Sequence, residues 1–397
     1  MSQTTLHATV VGVDRPGVTS RMFSALAETT VLDVEQVVVA GQLVLGAVVL
    51  GAAGSEDALL ARMRAMVPDF EVTIRAVHAA DIAGPIPNCT VTVVGPAITG
   101  ADISALARTM ADDGANIVRI DRVADYPVTV LALEVAVPDP DALRLDLAQR
   151  CMDLEVDVAV RPRGLARRGV HLVVMDVDST LIRDEVIEVL ARHAGREEQV
   201  RRVTEAAMRG ELDFAESLHA RVAELAGLPA EVIDRAREEI RLTPGARTLC
   251  RTLKRLGYRI ALVSGGFTEV IRPLADELGI DALRANGLEV ADGVLTGRVR
   301  GPVVDRAGKA AALRELAAEF GIDVASTVAI GDGANDLDML AAAGHGIAFN
   351  AKPVVQAAAD SAINVPYLDT VLYLLGISRE EVEEADALAQ TLTAEEW

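Results

Sequence analysis

The sequence predicts a multidomain protein of mixed α/β and α+β class, in which two small βαββαβ modules precede a parallel α/β domain with an inserted helical cap. Three observations support this: an internal repeat in the first 165 residues, apolar runs that end in polar loops after residue 170, and a long insertion between two of those runs. A chain of 397 residues can hold two or three domains with separate cores. We predict modules at 1–82 and 86–163, a linker at 164–169, and the α/β domain at 170–397, with its cap at about 184–243.

Composition excludes several classes of protein. Apolar residues make up 51% of the chain and charged residues 24%, which does not indicate disorder. The formal charge of -21 opposes non-specific binding to nucleic acid or anionic lipid, so we expect neither as a partner. Three cysteines stand far apart in no metal-binding spacing, which predicts a reducing compartment, the cytoplasm. We expect no signal peptide, because Asp14 and Arg15 interrupt the first apolar run.

One segment, Val37 to Ser55, carries no charge and is long enough by count to cross a membrane. Gly41 and Gln42, however, separate two short runs rich in Val and Leu. This pattern is typical of a strand, a turn and a returning strand, so we predict a β-hairpin here.

The first 165 residues contain a repeat. The segment beginning at Thr9 (TVVG) recurs at Thr92, and the segment beginning at Asp57 (DAL) recurs at Asp141. Each copy reads as strand, helix, two strands, helix and strand, which is the ferredoxin-like order. We therefore predict two modules of the same fold in tandem.

The loop that enters the first helix, Val11 to Val18 (VGVDRPGV), resembles the opening loop of an ACT domain, a small-ligand sensor of amino-acid metabolic enzymes. The resemblance implies a free amino acid such as serine as ligand, with Asp14, Gly17 and the equivalent Gly100 as regulatory-ligand candidates. Exposed amides at a helix N-terminus can bind a carboxylate, and glycine permits close approach. A helix-capping turn without a ligand remains open for the first loop. The second copy lacks the aspartate. The alternative for this module is therefore that it is degenerate or purely structural.

The resemblance has two further implications for organisation. ACT modules commonly pair by their sheet edges, which implies a homodimer. The basic, glycine-punctuated segment from Arg161 to Gly169 reads as a linker. Nucleic-acid binding by its four arginines is the alternative, and the acidic character of the chain opposes it.

Three apolar runs in the second half of the chain end in polar residues, and a lysine stands at the start of a helix between the last two runs. The first run ends in Asp176 and Asp178, the second in Ser264-Gly265-Gly266, and the third in Gly331-Asp332-Gly333-Ala-Asn335-Asp336; the lysine is Lys309. Parallel sheets carry their ligands at the carboxyl ends of the strands, so we expect these groups to meet at one edge. In strand alternation Asp176 and Asp178 point the same way, so we expect their carboxylates to crowd one space, which is costly unless a cation or a proton is shared. Taken singly, each motif is also compatible with an ordinary turn or a solvated helix residue.

Together the four motifs resemble those of the haloacid dehalogenase superfamily, in which a Rossmann-like domain transfers phosphoryl groups. The resemblance implies Asp176 as nucleophile and Asp178 as general acid and base. It implies Mg²⁺ as cofactor, bound by Asp176, Asp332 and the backbone carbonyl of Asp178, with Asp336 holding a metal-bound water. Phosphoryl-binding roles fall to Ser264, Gly265 and Lys309, and Asn335 would orient a neighbour in its loop.

The 88 residues from Asp176 to Ser264 exceed the roughly 30 of a strand-helix-strand step, and the excess reads as four helices, 184–194, 197–207, 213–226 and 230–241. Such a cap would exclude water and select the substrate. At about 100° per residue, Arg221 falls inside the apolar stripe of the third helix, where a guanidinium needs a partner such as a carboxylate. A salt bridge to Glu188 or Glu205 is the alternative.

Residues 176–185 (DVDSTLIRDE) and 208–222 (MRGELDFAESLHARV) resemble the first motif and the cap signature of the phosphoserine phosphatase family. The resemblance implies that Glu185 binds the substrate ammonium and Arg221 its carboxylate, with Met208 and Phe214 shielding the phosphoester. For Glu185 the alternative is a favourable acid in the first turn of a helix. The implied reaction is hydrolysis of phosphoserine, the last step of serine biosynthesis. The alternatives are another small phosphomonoester as substrate, or a sensor without catalysis.

Two further segments are assigned no chemistry. Residues 286–299 read as a peripheral hairpin with an Asp292-Gly293 turn. The tail after Ser378 is acidic and helical.

Overall fold

The computed structural model describes residues 3–78, 84–164, 171–208 and 213–395, without the side chains of 205–208 and 390–395. The chain forms two compact units, Met1–Ile86 and Pro87–Trp397. Apart from Gly164, the predicted linker at 164–169 lies outside the described residues. Within the described part of the chain, no helix combines the length and apolarity needed to cross a bilayer.

The first module has the predicted βαββαβ order. It comprises β1 (Gln3–Val13), α1 (Val18–Ala25), β2 (Thr30–Val39), β3 (Gln42–Ala52), α2 (Glu56–Met66) and β4 (Glu71–Ala76). The strands form an antiparallel sheet in the order β2-β3-β1-β4. Alternate residues of β1 and β3 are buried with the two helices in a compact core, because the side chains of a strand point to opposite faces of the sheet.

The charge-free segment is a hairpin, as predicted. Val39 pairs with Gln42, and the two residues between them, Ala40 and Gly41, have φ of 48° and 78°. Two consecutive positive φ angles are the hallmark of the tight turn whose twist suits paired strands.

The second module repeats the order with β5 (Cys89–Gly95), α3 (Gly100–Asp112), β6 (Asn116–Ala124), β7 (Thr129–Ala136), α4 (Pro140–Cys151) and β8 (Asp157–Pro162). Its sheet continues into that of the α/β domain, because Ala159 in β8 pairs with Ser361 in the edge strand of that domain. Asp157 reinforces the junction by accepting hydrogen bonds from the backbone and side-chain nitrogens of Asn364, both at 2.7 Å. The sequence did not predict this joint sheet.

The α/β domain is built on parallel strands with helices on both faces. Its sheet contains β9 (Leu172–Met175), β10 (Arg259–Phe267), β11 (Ala282–Ala291), β13 (Thr327–Gly331), β14 (His345–Phe349) and β15 (Ser361–Ile363), in the order β11-β10-β9-β13-β14-β15. The helices outside the cap are α9 (Ala246–Arg255), α10 (Thr268–Glu277), α11 (Arg306–Phe320), α12 (Leu337–Ala342), α13 (Pro353–Gln356), α14 (Thr370–Leu374) and α15 (Arg379–Glu395). Strand β9 is fully buried at the centre of the domain, as expected for a strand covered on both faces.

The cap consists of the four predicted helices, α5 (Val186–His193), α6 (Glu197–Met208), α7 (Phe214–Ala223) and α8 (Val232–Glu239). The two chain segments that join it to the domain run side by side, because Ile182 forms an antiparallel bridge with Leu242. Arg241 adds a backbone hydrogen bond to the Asp184 carboxylate at 2.9 Å. The cap is therefore attached through one two-stranded connection.

The predicted Asp-Gly hairpin is present as β11 and β12 (Val294–Arg300), with Asp292 and Gly293 at positive φ in the turn. Its prediction as peripheral was wrong. The hairpin lies against the segment between α7 and α8, and Leu295 exchanges backbone hydrogen bonds with Gly227 and Leu228 of the cap, each at 2.8 Å. Sequence pattern identifies a turn but carries no information on which distant segment a hairpin contacts.

Candidate active site

The polar loops predicted from the sequence follow neighbouring strands of one sheet. Met175, the last residue of β9, is in register with Leu262 of β10 and Ile330 of β13. Asp176 comes next, and its amide donates to the Ile330 carbonyl at 2.9 Å. Ser264 and Asp332 each stand two residues beyond the matched positions of the flanking strands. The parallel register thus brings all three loops to the carboxyl edge of the sheet.

The chain leaves the strand sharply after Asp176. Ser179 has a φ of 57°, a left-handed conformation that is uncommon outside glycine. The turn gives the two aspartates different surroundings. The Asp176 carboxylate accepts from the amide of Val177 at 2.7 Å, whereas the Asp178 carboxylate accepts from the amide of Val186 at 2.8 Å.

Among the described residues, a cluster of carboxylates is formed by Asp176, Asp332 and Asp336, with one oxygen from each lying within 4.8 Å of the others. Asp178 was expected to crowd Asp176, but its carboxylate is not part of this cluster. Asp178 still lies close enough to Asp176 for its charge to raise the pKa of that carboxyl. Asp336 presents its carboxylate alongside the other two, and its oxygens also accept from Lys309 at 2.6 Å and from the Gly333 amide at 2.9 Å. Three such oxygens match the donor set of a hard divalent cation, so the residues fit a metal site.

Lys309 lies beside this cluster and is completely buried. Its Nζ is 2.7 Å from the Asp176 carboxylate and 2.6 Å from that of Asp336. The side chain reaches the cluster from the first turn of α11, where Asp305 accepts a hydrogen bond from the Gly308 amide at 2.7 Å. One positive charge therefore offsets part of the repulsion among three carboxylates.

Burial and like charges shift the acidities of the site. Burial, followed by the charge of Asp336, raises the pKa of Asp176 well above its usual range. The same two causes raise the pKa of Asp332 to about 6. Burial, followed by the charge of Glu185, raises the pKa of Asp178 to about 7. Burial lowers the pKa of Lys309, but Asp176 and Asp336 outweigh it, so the net shift is upward and Lys309 is charged.

The Ser264-Gly265-Gly266 loop faces Asp178. The Ser264 hydroxyl is 3.4 Å from the Asp178 carboxylate and accepts a hydrogen bond from the Gly266 amide at 2.8 Å. A Cβ built on Gly266 would lie 2.9 Å from an Asp178 oxygen and 3.0 Å from the Ser264 hydroxyl. Glycine is needed at this position because the two polar groups approach the backbone too closely for a side chain.

Glu185 and Arg221 lie at the cap side of the site, near enough for the charge of each to act on the pKa of the other. The Glu185 carboxylate accepts from the Ser179 hydroxyl at 2.8 Å, and burial raises its pKa while Ser179 and Arg221 oppose the shift. Burial lowers the pKa of Arg221, while Glu185, Asp178 and Glu188 oppose this. Among the side chains that the structure describes, Arg221 donates one hydrogen bond, to the Ser217 carbonyl at 3.3 Å, and forms no close ion pair with Glu188. The alternative partner Glu205 has no described side chain.

Phe214 covers the phosphoryl loop from the cap. It begins α7 after a capping box formed by Asp213 and Glu216, and its ring would lie 3.1 Å from a Cβ at Gly265. Asn335 is half-buried in the loop after β13, close to Gly333. The Met208 side chain lies outside the described residues.

The two candidate regulatory loops differ. Gly17 has a φ of 85° and precedes α1 without a side-chain cap, and Asp14 is exposed with its amide bonded to Gly41. In the second module, Thr99 caps α3 in a reciprocal box with Asp102, so Gly100 begins a helix whose N-terminus already faces a carboxylate. The second loop is therefore less suited than the first to binding an anion.

Sequence reasoning missed several residues that hold the site together. The Thr180 hydroxyl donates to Asp332 at 2.9 Å, and its carbonyl accepts from Thr243 at 2.7 Å. Asn286 is completely buried and donates to the Gly265 carbonyl at 2.8 Å. The polar residues of the first motif hinted at Thr180, whereas no local signal marks Thr243 or Asn286.

Comparison with known proteins agrees with the three-part organisation. The haloacid dehalogenase-like hydrolase family matches residues 173–341, and ACT domain families match residues 4–77 and 88–161. A crystal structure of a probable phosphoserine phosphatase from Vibrio cholerae in its unliganded form has a TM-score of 0.59 and 33% identity, covering 74% of this chain and 88% of that one. A substrate-bound phosphoserine phosphatase has a TM-score of 0.50 and 42% identity, covering 52% of this chain and 98% of that one.

Two relatives match along almost their whole length. The phosphoserine phosphatase of Streptomyces coelicolor is 54% identical over 98% of this chain and 96% of its own. The phosphoserine phosphatase SerB2 of Mycobacterium tuberculosis is 52% identical over 96% of this chain and 95% of its own. Because these matches include both N-terminal modules as well as the α/β domain, the chain belongs to the phosphoserine phosphatase family of haloacid dehalogenase-like hydrolases and carries two ACT domains.

Proposed function

We propose that the chain hydrolyses O-phospho-L-serine to L-serine and phosphate, with Mg²⁺ as cofactor, in the last step of serine biosynthesis. The observation that carries the proposal is one continuous site, in which a carboxylate cluster with Lys309 adjoins the opposite charges of Glu185 and Arg221. A cytoplasmic location fits the three unpaired cysteines.

Asp176 is the nucleophile in this proposal. Its carboxylate attacks phosphorus and the serine oxygen leaves, which gives an aspartyl phosphate; water then attacks phosphorus and the Asp176–phosphate bond breaks. Lys309 holds the Asp176 carboxylate in place at 2.7 Å and offsets its repulsion from the incoming phosphate. Ser264 and the Gly265 amide bind phosphoryl oxygens from the neighbouring loop.

Asp178 moves the proton in both halves of the reaction. A pKa raised to about 7 keeps part of the population protonated near neutral pH, which suits donation to the leaving serine oxygen. The resulting carboxylate then takes a proton from the attacking water. Its hydrogen bond from the Val186 amide fixes the orientation of the group through both steps.

The carboxylates of Asp176 and Asp332 would hold the Mg²⁺ ion, with the backbone carbonyl of Asp178 as a further ligand, and the nearby Asp336 would hold a metal-bound water. When bound, the ion supplies positive charge to the phosphoryl oxygens and screens the carboxylates from one another. Thr180 orients Asp332 for this role through its hydrogen bond at 2.9 Å.

Metal affinity should depend on pH. The raised pKa values of Asp176 and Asp332, the latter about 6, mean that protons compete with the cation as pH falls. We expect the affinity for Mg²⁺ to fall as the pH drops through about 6, where Asp332 takes up a proton. Calorimetry of the metal-free protein, in buffers of different ionisation enthalpy, would measure both affinity and proton release. Constant affinity across this range would contradict the proposed ligand set.

The substrate follows from the charges beyond Asp178. Glu185, held by the Ser179 hydroxyl, would bind the serine ammonium, and Arg221 its carboxylate. Arg221 makes a single long hydrogen bond within the described side chains, so its guanidinium can pair with a ligand. Phe214, packed over Gly265, would exclude water from the phosphoester.

Steady-state phosphate release from a panel of phosphomonoesters tests the substrate. Phosphoserine should exceed sugar phosphates in kcat/KM by roughly 100-fold or more, because only an amino acid pairs with both charges. Comparable turnover of sugar phosphates would favour a general small-molecule phosphatase. An absence of turnover for every ester would favour a sensor without catalysis.

We also propose that the first ACT domain binds a free amino acid, such as serine, at the loop of Asp14 and Gly17. Support comes from the uncapped start of α1 and from the φ of 85° at Gly17, which a branched side chain adopts only with strain.

In full-length protein, Gly17→Val should therefore weaken serine binding to the first ACT domain by roughly tenfold or more in calorimetry. Gly54→Val is the matched control, because Gly54 has a φ of 77° in the same domain and nothing near its Cβ position. Binding at the active site should persist in both variants. Equal loss of binding in the two variants, or none in either, would argue against the loop as the site.

A homodimer is the proposed assembly. Strand β2 is an edge strand, and Val37 and Val39 on it are more than half exposed. An apolar edge of this kind is suited to pairing with a second copy, which removes unpaired backbone groups from water.

A further inference from the structure

The β11–β12 hairpin is rooted in the phosphoryl-binding loops. Asn286, completely buried at its base, donates from Nδ2 to the Gly265 carbonyl at 2.8 Å. Its Oδ1 accepts from the Val304 amide at 2.8 Å. Val304 directly precedes Asp305, which caps the helix carrying Lys309. A single amide side chain thus ties the hairpin to two of the loops that receive the phosphoryl group.

The other end of the hairpin holds the cap. Leu295 donates to Leu228 and accepts from Gly227, both at 2.8 Å, and Gly293 accepts from Ala230 at 2.9 Å. These cap residues lie four to seven positions beyond Ala223, the last residue of α7. Three backbone hydrogen bonds therefore hold the segment that follows the helix carrying Arg221.

Gly297 lets the hairpin and helix approach closely. A Cβ built there would lie 2.7 Å from the Ala226 Cβ and 3.3 Å from the Ala223 carbonyl oxygen. Real Cβ atoms do not approach so closely, so any side chain at Gly297 would push α7 away from β12. Arg221 is two residues before Ala223, about 3 Å along the helix axis, and would move with it.

We propose that this hairpin sets the distance between the phosphoryl end of the site and Arg221, with Gly297 as a positioning residue that acts through Arg221. It thereby selects phosphomonoesters whose carboxylate stands at one fixed separation from the phosphate. The inference rests on the proposed function, in which Arg221 binds the substrate carboxylate.

Gly297→Ala tests the spacing. The probes are phosphoserine and O-phosphoethanolamine, which keeps the phosphate and ammonium but lacks the carboxylate. The variant should raise the KM for phosphoserine by roughly tenfold, because a displaced guanidinium binds the carboxylate poorly. The inhibition constant of phosphoethanolamine, measured in competition with phosphoserine, should stay within about twofold of wild type.

Gly301→Ala is the matched control. Gly301 follows β12 and has a φ of 83°, against 79° at Gly297, but nothing lies within 4 Å of its Cβ position. The backbone strain of the two substitutions is therefore similar, and only Gly297→Ala adds the clash with α7. Gly301→Ala should leave both constants unchanged. If Gly297→Ala does not fold, Ala226→Val introduces the wedge from the cap side without backbone strain and should give the same pattern.

A double-mutant cycle tests whether Gly297 acts through Arg221. In an Arg221→Met background, Gly297→Ala should raise the KM for phosphoserine by less than about twofold, since the group it displaces is already gone. Additive effects in the cycle would overturn the proposal, as would a parallel rise of both constants in Gly297→Ala. Unchanged constants in a folded Gly297→Ala protein would overturn it as well.

The wild-type measurement distinguishes a failure of the substrate assignment from a failure of the hairpin proposal alone. If wild type binds phosphoethanolamine as well as phosphoserine, Arg221 does not recognise a carboxylate, and the substrate assignment fails together with the role of the hairpin. If wild type discriminates and Gly297→Ala does so equally, only the hairpin proposal fails.

Discussion

Asp176→Asn is expected to reduce phosphate release from phosphoserine by at least about 10⁴-fold. The amide oxygen is a poor nucleophile, and replacing the carboxylate removes one negative charge from the proposed metal site. Lys309 retains its 2.6 Å contact with Asp336, so the buried charge still has a partner and the variant should fold.

A direct measurement looks for the covalent intermediate. Rapid acid quenching of wild type with phosphorus-labelled phosphoserine should leave label on the denatured protein, and Asp176→Asn should leave none. Asp153→Asn serves as the control, because Asp153 is an exposed aspartate outside the α/β domain. Substantial turnover by a homogeneous preparation of Asp176→Asn would remove this residue as nucleophile.

The elements that the sequence predicts well are those whose signals are local. Each βαββαβ module has its own turns and alternating strands. Because the two modules repeat one another, the pattern found in one supports the prediction for the other. The run that ends at Asp176 is apolar throughout, which is what a strand buried on both faces requires. Parallel register then brings Ser264 and Asp332 to the same edge without further information.

The details that it misses depend on contacts between distant residues. Strand alternation cannot foresee the turn at Ser179, nor that the Asp336 carboxylate joins those of Asp176 and Asp332. No periodic pattern or motif in the sequence identifies Asn286, because its partners lie in other loops. Likewise, the pairing of Ala159 with Ser361 joins segments 202 residues apart, as 361 minus 159 shows.

Lys309→Met should be the most destabilising substitution in the site. It leaves the Asp176 and Asp336 carboxylates buried beside Asp332 without a compensating charge, at a cost of about 3–5 kcal/mol. The loss of phosphoryl stabilisation should also lower kcat by roughly 100- to 1,000-fold. Lys254→Met is the control, because Lys254 pairs with Asp281 on the partly exposed surface, where an ion pair contributes about 1 kcal/mol or less.

The sign of the pH dependence distinguishes this explanation from simple loss of packing. The raised pKa values of Asp176 and Asp332 mean that these carboxyls take up protons as pH falls, the latter near pH 6. Lys309 lowers both pKa values, so they lie higher still in the variant. Protonation removes the unpaired charges, so the deficit of Lys309→Met should be greatest at alkaline pH and shrink at acid pH. A packing defect would lower the free energy of unfolding by the same amount at both pH values.

The same stability comparison can be made with and without Mg²⁺. A cation that binds the folded carboxylate cluster but not the unfolded chain stabilises the protein by mass action, and it should recover part of the deficit at high pH. The measurement is the urea midpoint of wild type and of Lys309→Met under four conditions, namely two pH values, each with and without Mg²⁺. A deficit that neither acid nor Mg²⁺ reduces would mean that charge balance is not what Lys309 contributes to the fold.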